Sequence, residues 1–153
     1  VFAMLPKLLE RAGTTSGEGS ITGLYTVLVE GDDMNEPVAD TVRGILDGHM
    51  VLSRRLAAKA QYPAIDVLNS VSRVMSDIVS REHLDVARRA RENLSIYQEN
   101  EDLITIGAYK AGQSARLDDA IKVQDKLVTF LKQASEEYSS LNNSVEELGK
   151  VFA

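Results

Sequence analysis

The sequence predicts an α/β edge followed by an all-α helical bundle, and three observations carry that prediction. Apolar and β-branched residues run almost without interruption from Ser20 to Glu30, as in a buried parallel strand. Further on, strand-like and helical stretches alternate, the pattern of an α/β layer. From about Ser80 the strand signals cease, and apolar residues recur at spacings of three and four to the last residue. That change sets the expected boundary, with an α/β part over residues 1–79 and a helical part over residues 80–153.

The first element is a helical stripe of Phe2, Met4, Leu5 and Leu8 that stops at Gly13, with residues 13–20 expected as a flexible loop. The chain opens on Val1, and the stripe has neither a basic lead nor a small-residue cleavage site. The start therefore reads as a cut inside a longer protein. After the strand at 20–30 comes a polar turn, Gly31 to Pro37, and then a helix from about Val38 to Leu46 with Val38, Val42 and Ile45 on one face. Asp47 and Gly48 break it. A strand over 49–53, a helical turn over 54–60 and an extended piece from Tyr62-Pro63 to about Val67 complete the α/β part.

In the helical part, Leu84, Ala87, Ala90, Leu94 and Tyr97 form one stripe, and Leu117, Ile121, Val128 and Leu131 another. Asn100 and Ser114 are expected as N-caps, Gly107 and Gly112 as the ends of an interhelical loop. Ser144 to Glu147 has capping-box spacing before a last stripe of Val145, Leu148 and Phe152.

Composition narrows the function. A formal net charge of −6 argues against nucleic acid, because phosphate binding draws on clustered Lys and Arg. The only basic clusters, Arg54-Arg55 and Arg88-Arg89-x-Arg91, are short and read as solvated helix faces. With no cysteine, disulfides and thiolate metal sites are excluded, which fits a reducing compartment. The longest apolar runs fall far short of the ~20 residues that span a bilayer.

His49 and His83 are too few and too separated for a metal site, and none is expected. The glycine-rich residues 13–20 lack the Gly-Lys-Ser/Thr ending that brings a cation and a hydroxyl to bound phosphates. Asp32, Asp33 and Glu36 make an acidic turn, for which solvated carboxylates in an Asx-type turn are the plainer account.

Three stretches nevertheless point further: residues 2–13 (FAMLPKLLERAG), 19–54 (GSITGLYTVLVEGDDMNEPVADTVRGILDGHMVLSR) and 62–75 (YPAIDVLNSVSRVM). Together they resemble the flagellar and type III secretion ATPases, relatives of the rotary ATP synthase subunits. The resemblance runs in order along the chain and is strongest from Gly19 to Met75. It implies the α/β edge of a RecA-like P-loop nucleotide-binding core followed by the helical C-terminal domain. It also implies that the phosphate-binding loop, the catalytic glutamate and the magnesium ligands lie in an N-terminal part that this sequence does not contain.

By the same resemblance, Tyr62 matches the aromatic position that stacks on the adenine of ATP, and Arg73 matches the arginine finger that reaches in trans to the neighbour's γ-phosphate. The turn of Asp32, Asp33, Asn35 and Glu36 matches the loop facing the central stalk. The loop from Tyr109 to Asp119 sits where the catalytic ATP synthase subunit has an acidic stalk-touching motif, and here the acidic run is missing.

The function implied is a homohexameric ATPase that uses ATP with magnesium to energise flagellar or type III protein export. Its implied partners are a central stalk protein, a stator-like regulator, export chaperones and substrates. Its implied place is the cytoplasm, peripheral to the inner-membrane export gate. This chain alone is expected to be inactive. Two alternatives stay open: a non-catalytic interaction module binding a stalk protein, chaperone or substrate, and a fragment of a non-catalytic ATP synthase subunit, which shares the Ser70–Arg73 stretch. The turn at 31–37 and the residues 45–49 speak for the secretion branch.

Overall fold

A computed structural model describes residues 4–153, so Phe2 of the expected first stripe lies outside the described residues. The chain divides into two compact units, one ending at His49 and the other running from Met50 to Ala153.

In the first unit, α1 (Leu5–Leu9) starts with Pro6 in its first turn, where the missing amide hydrogen costs nothing. Residues expected as a flexible loop instead make a small antiparallel ribbon. β1 (Gly13–Thr14) pairs with β2 (Ser20–Ile21), Gly13 opposite Ile21 and Thr14 opposite Ser20. The long strand expected over 20–30 is present only as β2. Leu24 and Leu28 are 84% and 91% exposed, and among the described residues no strand pairs with 22–29. Strand propensity reports fit to a pleated surface, and without a hydrogen-bonding neighbour it closes no ladder. A 3-10 turn, Glu30–Asp32, leads to α2 (Pro37–Ile45), which packs against α1. Ala39 and Val42 are its buried residues, and Leu9 is that of α1.

Strand β3 (Gly48–Leu52) lies at the division between the units and pairs with β4 (Ile65–Ser72), which extends five residues beyond the expected end at Val67. Between them α3 (Arg54–Ala58) closes through Ala60, whose φ of 54° lies in the left-handed region. After a short α4 (Met75–Ile78), the helical part is built from α5 (Arg81–Thr105), α6 (Ala115–Phe130) and α7 (Leu141–Lys150). Helix α5 packs against both α6 and α7, and α6 also meets α7. Ala90, Leu127 and Val151 are the buried centre, with Leu94, Val123, Phe130, Leu148 and Phe152 around them.

Each helix of this bundle begins on a serine whose hydroxyl accepts an otherwise unpaired amide: Ser80 from His83, Ser114 from Leu117 and Ser140 from Asn143. Ser114 was expected as a cap. Asn100 was too, but it lies inside α5, where its Nδ2 donates to the Ile96 carbonyl at 2.8 Å. No Gly or Pro interrupts the run from Leu94 to Thr105, so the helix continues and the side chain turns back on the preceding turn. Ser144 likewise lies within α7, donating to the Ser140 carbonyl, and so does not begin the helix.

Candidate functional site

The extended piece around Tyr62 is shaped from both sides. Gln61 is buried while the adjoining Tyr62 is 58% exposed, so the phenol ring stands on the surface as a flat apolar face. The Tyr62-Pro63 peptide is cis. The Tyr62 carbonyl accepts a 2.8 Å hydrogen bond from the Gln133 amide, just past the end of α6. The helical bundle thus fixes the backbone that presents the ring.

Arg73 follows directly on β4 and is exposed. The strand that carries it is locked internally. The Asp66 carboxylate accepts from the Asn69 amide at 3.1 Å and from Asn69 Nδ2 at 2.9 Å, and Ser70 Oγ donates to the Asp66 carbonyl at 2.5 Å. The same hydroxyl accepts from the Val51 amide of β3 at 3.0 Å.

Sequence reasoning missed the residue that holds this strand to the bundle. Arg91 on α5 donates to the carbonyls of Val67, Leu68 and Ser70. The basic cluster at 88–91 had read as a solvated face. Arg88, Arg89 and Arg91 are indeed exposed, but Arg91 also grips β4, and Arg89 lies over the Phe152 ring at 4.5 Å. A second tie joins α3 to α5, where Lys59 meets Glu101 at 2.8 Å with Arg55 at 3.8 Å. The Lys59 hydrogen bond holds the Glu101 carboxyl below the ordinary carboxylate range, with burial opposing it.

The acidic turn is mostly occupied with its own geometry. Asp33 Oδ1 accepts from the Asn35 amide at 3.0 Å, an Asx-type turn. Glu36 Oε1 accepts from the Val38 amide at 3.2 Å and so caps α2. Arg43 reaches back from α2 to the Met34 carbonyl at 2.8 Å. Gly31 and Asp32 both take left-handed φ values, 63° and 60°, the first natural to glycine and the second tolerated by aspartate.

The interhelical loop is closed in a comparable way. Tyr109 donates its hydroxyl to Asp118 Oδ1 at 3.0 Å, while the Gly112 amide donates to Oδ2 at 2.9 Å. Among the described residues no group of three or more His, Cys, Asp or Glu side chains is placed to hold a metal ion. No helix among them is long and apolar enough to cross a membrane.

Residues 1–72 match the nucleotide-binding domain of the ATP synthase alpha/beta family, and residues 79–150 match the type III secretion EscN ATPase C-terminal domain. The chain belongs to the ATP synthase alpha/beta family, in its flagellar and type III secretion branch. Among family members, the flagellum-specific ATP synthase of Bacillus subtilis is 59% identical over 148 residues, covering 97% of this chain and 34% of that protein. The chain thus spans about a third of the length of the curated relatives it matches. The assembled ATPase EscN of enteropathogenic E. coli superposes with a TM-score of 0.94 at 47% identity, covering 99% of this chain and 37% of that one. EscN in complex with its central stalk EscO gives 0.88 at 45% identity, covering 99% and 36%. The family assigns to this chain an α/β end of the nucleotide-binding domain followed by a helical part, in agreement with the reading of the sequence.

Proposed function

We propose that these residues form the C-terminal part of a homohexameric ATPase that hydrolyses ATP to energise flagellar or type III protein export. Residues 1–79 complete the nucleotide-binding domain and residues 80–153 are the helical domain. The observation that carries this reading is the similarity to assembled EscN along 99% of the chain. The family match at residues 79–150 to a type III secretion domain favours the secretion branch over a non-catalytic ATP synthase subunit.

In this reading Tyr62 offers its exposed ring to adenine, a flat apolar surface for a purine. Arg73 supplies fixed charge and forked donors to the neighbouring subunit's γ-phosphate as negative charge spreads over its oxygens. Magnesium and the phosphate cradle belong to residues outside this chain, whose glycine-rich loop has no lysine to offer the phosphates. Magnesium, once bound, neutralises charge on the transferring phosphoryl group. The turn of Asp32, Asp33, Asn35 and Glu36 faces a central stalk protein, a kind of partner with which the relative EscN forms a complex. A stator-like regulator, export chaperones and export substrates are the further partners, and the assembly sits in the cytoplasm against the inner-membrane export gate.

The test is ATP turnover by the full-length protein, joined to Tyr62→Ala. That substitution is expected to weaken ATP and ADP binding about 5- to 150-fold, the equivalent of losing one base-stacking contact. Tyr62→Phe should keep most of the affinity, and pyrophosphate should bind all three proteins alike. Equal loss for pyrophosphate would place Tyr62 in the fold and not against the base.

A further inference from the structure

We propose that Arg91 is a positioning residue for ATP hydrolysis, holding the end of β4 so that Arg73 is aimed across the subunit boundary. The proposal rests on the reading of Arg73 given above. The guanidinium of Arg91 reaches from α5 to three carbonyls of one strand: Nη1 to Val67 and, at 3.1 Å, to Ser70, and Nη2 to Leu68 at 3.1 Å. In a regular strand successive carbonyls point to opposite edges, so one planar fork does not serve neighbours such as Val67 and Leu68. Their convergence marks a local departure from the ladder.

The side-chain bonds at the same place agree with this. Asn69 folds back on the Asp66 carboxylate, and Ser70 Oγ bonds the Asp66 carbonyl four residues earlier. These bonds draw residues 66–70 in from full extension, which bears on the direction in which the following residues leave the strand. Arg73 comes three residues after Ser70, about 10 Å along an extended chain. Among the described residues every recorded partner of Arg91 is a backbone carbonyl, with no carboxylate to share its charge. Lysine, a single ammonium on a flexible stem, cannot satisfy three carbonyls with one fixed fork.

The experiment is a double-mutant cycle in the full-length protein, reading single-turnover hydrolysis and the KM for ATP. Arg91→Ala is expected to lower the hydrolysis rate by about 10²-fold, the scale of a reacting group misplaced by about 1 Å, with KM held within about twofold. In an Arg73→Ala background the same change should cost less than about threefold, because the group it aims is gone. A loss of the same size in both backgrounds would mean that Arg91 serves the fold alone, and an unchanged rate in Arg91→Ala would also overturn the proposal. If Arg91→Ala does not assemble, Arg91→Lys carries the same comparison, with an expected loss of about tenfold that vanishes without Arg73. If Arg73→Ala itself hydrolyses ATP at the wild-type rate, the reading of Arg73 has failed, and that single variant shows it separately from the cycle.

Discussion

Arg73→Ala in the full-length protein is expected to lower the rate of ATP hydrolysis by about 10³- to 10⁵-fold, the range that arginine fingers contribute in other nucleotidases. Binding should change little, because in the proposed role the guanidinium meets charge that develops on the γ-phosphoryl oxygens only as the bond to ADP breaks. Arg73→Lys keeps a positive charge but loses the forked donors, so it should recover only a small part of the rate. The proposed trans geometry has its own readout. Subunits carrying Arg73→Ala, mixed with subunits whose phosphate-loop lysine is replaced, should regain activity at the mixed boundaries, since one partner brings an intact finger and the other an intact cradle. Absence of complementation would argue for a finger acting within its own subunit. The isolated 153-residue chain should show no turnover at all, because positioning of the phosphates and magnesium is most of this chemistry.

What the sequence revealed and what it hid divide along a physical line. The helical stripes were legible in part because burial repeats with the helix period: Ala90 and Leu117 are buried as expected, whereas the centre on α6 is Leu127, one position before the expected Val128. Ser114 was legible as a cap because a serine before an apolar-periodic run has few better uses. Asn100 misled, since the same chemistry serves equally well for a bond back to the Ile96 carbonyl within an uninterrupted helix. Tyr62 and Arg73 were singled out only through resemblance to the family. Neither spacing nor composition distinguishes an exposed tyrosine before proline, or an arginine after a strand, from ordinary surface residues.

Arg91 and Gln133 were beyond reach for another reason. Arg91 acts on residues 21 to 24 positions earlier, and the Gln133 amide bonds a carbonyl 71 positions earlier. Both donate to backbone carbonyls, a group every residue carries, so the sequence holds no complementary partner to recognise. The strand expected over 20–30 fails for a related cause. Its residues have strand propensity, yet a strand exists only through the edge that pairs with it, and no propensity names that edge.

Leu127→Ala is the second change with a large expected effect, a loss of about 2 to 5 kcal/mol in urea unfolding of the 153-residue chain followed by far-UV circular dichroism. Leu127 is 1% exposed and is the largest fully buried side chain among the described residues. It lies in one cluster with Ala90 of α5 and Val151 beyond α7. Removing it subtracts transfer free energy and leaves a void that three helices must close together, whereas Leu127→Met, nearly equal in volume, should cost less than about 1.5 kcal/mol. A cost below about 1 kcal/mol for the alanine variant would mean that the helices do not share this core. The consequence reaches the proposed chemistry through consecutive positions on α5. Ala90 faces the core, and Arg91 lies about 100° further around the helix, where it meets β4. Burial of Ala90 therefore fixes the azimuth at which Arg91 leaves α5, and with it the carbonyls that the guanidinium can reach. On the proposal for Arg91, the packing of the helical domain thereby helps to decide where Arg73 points.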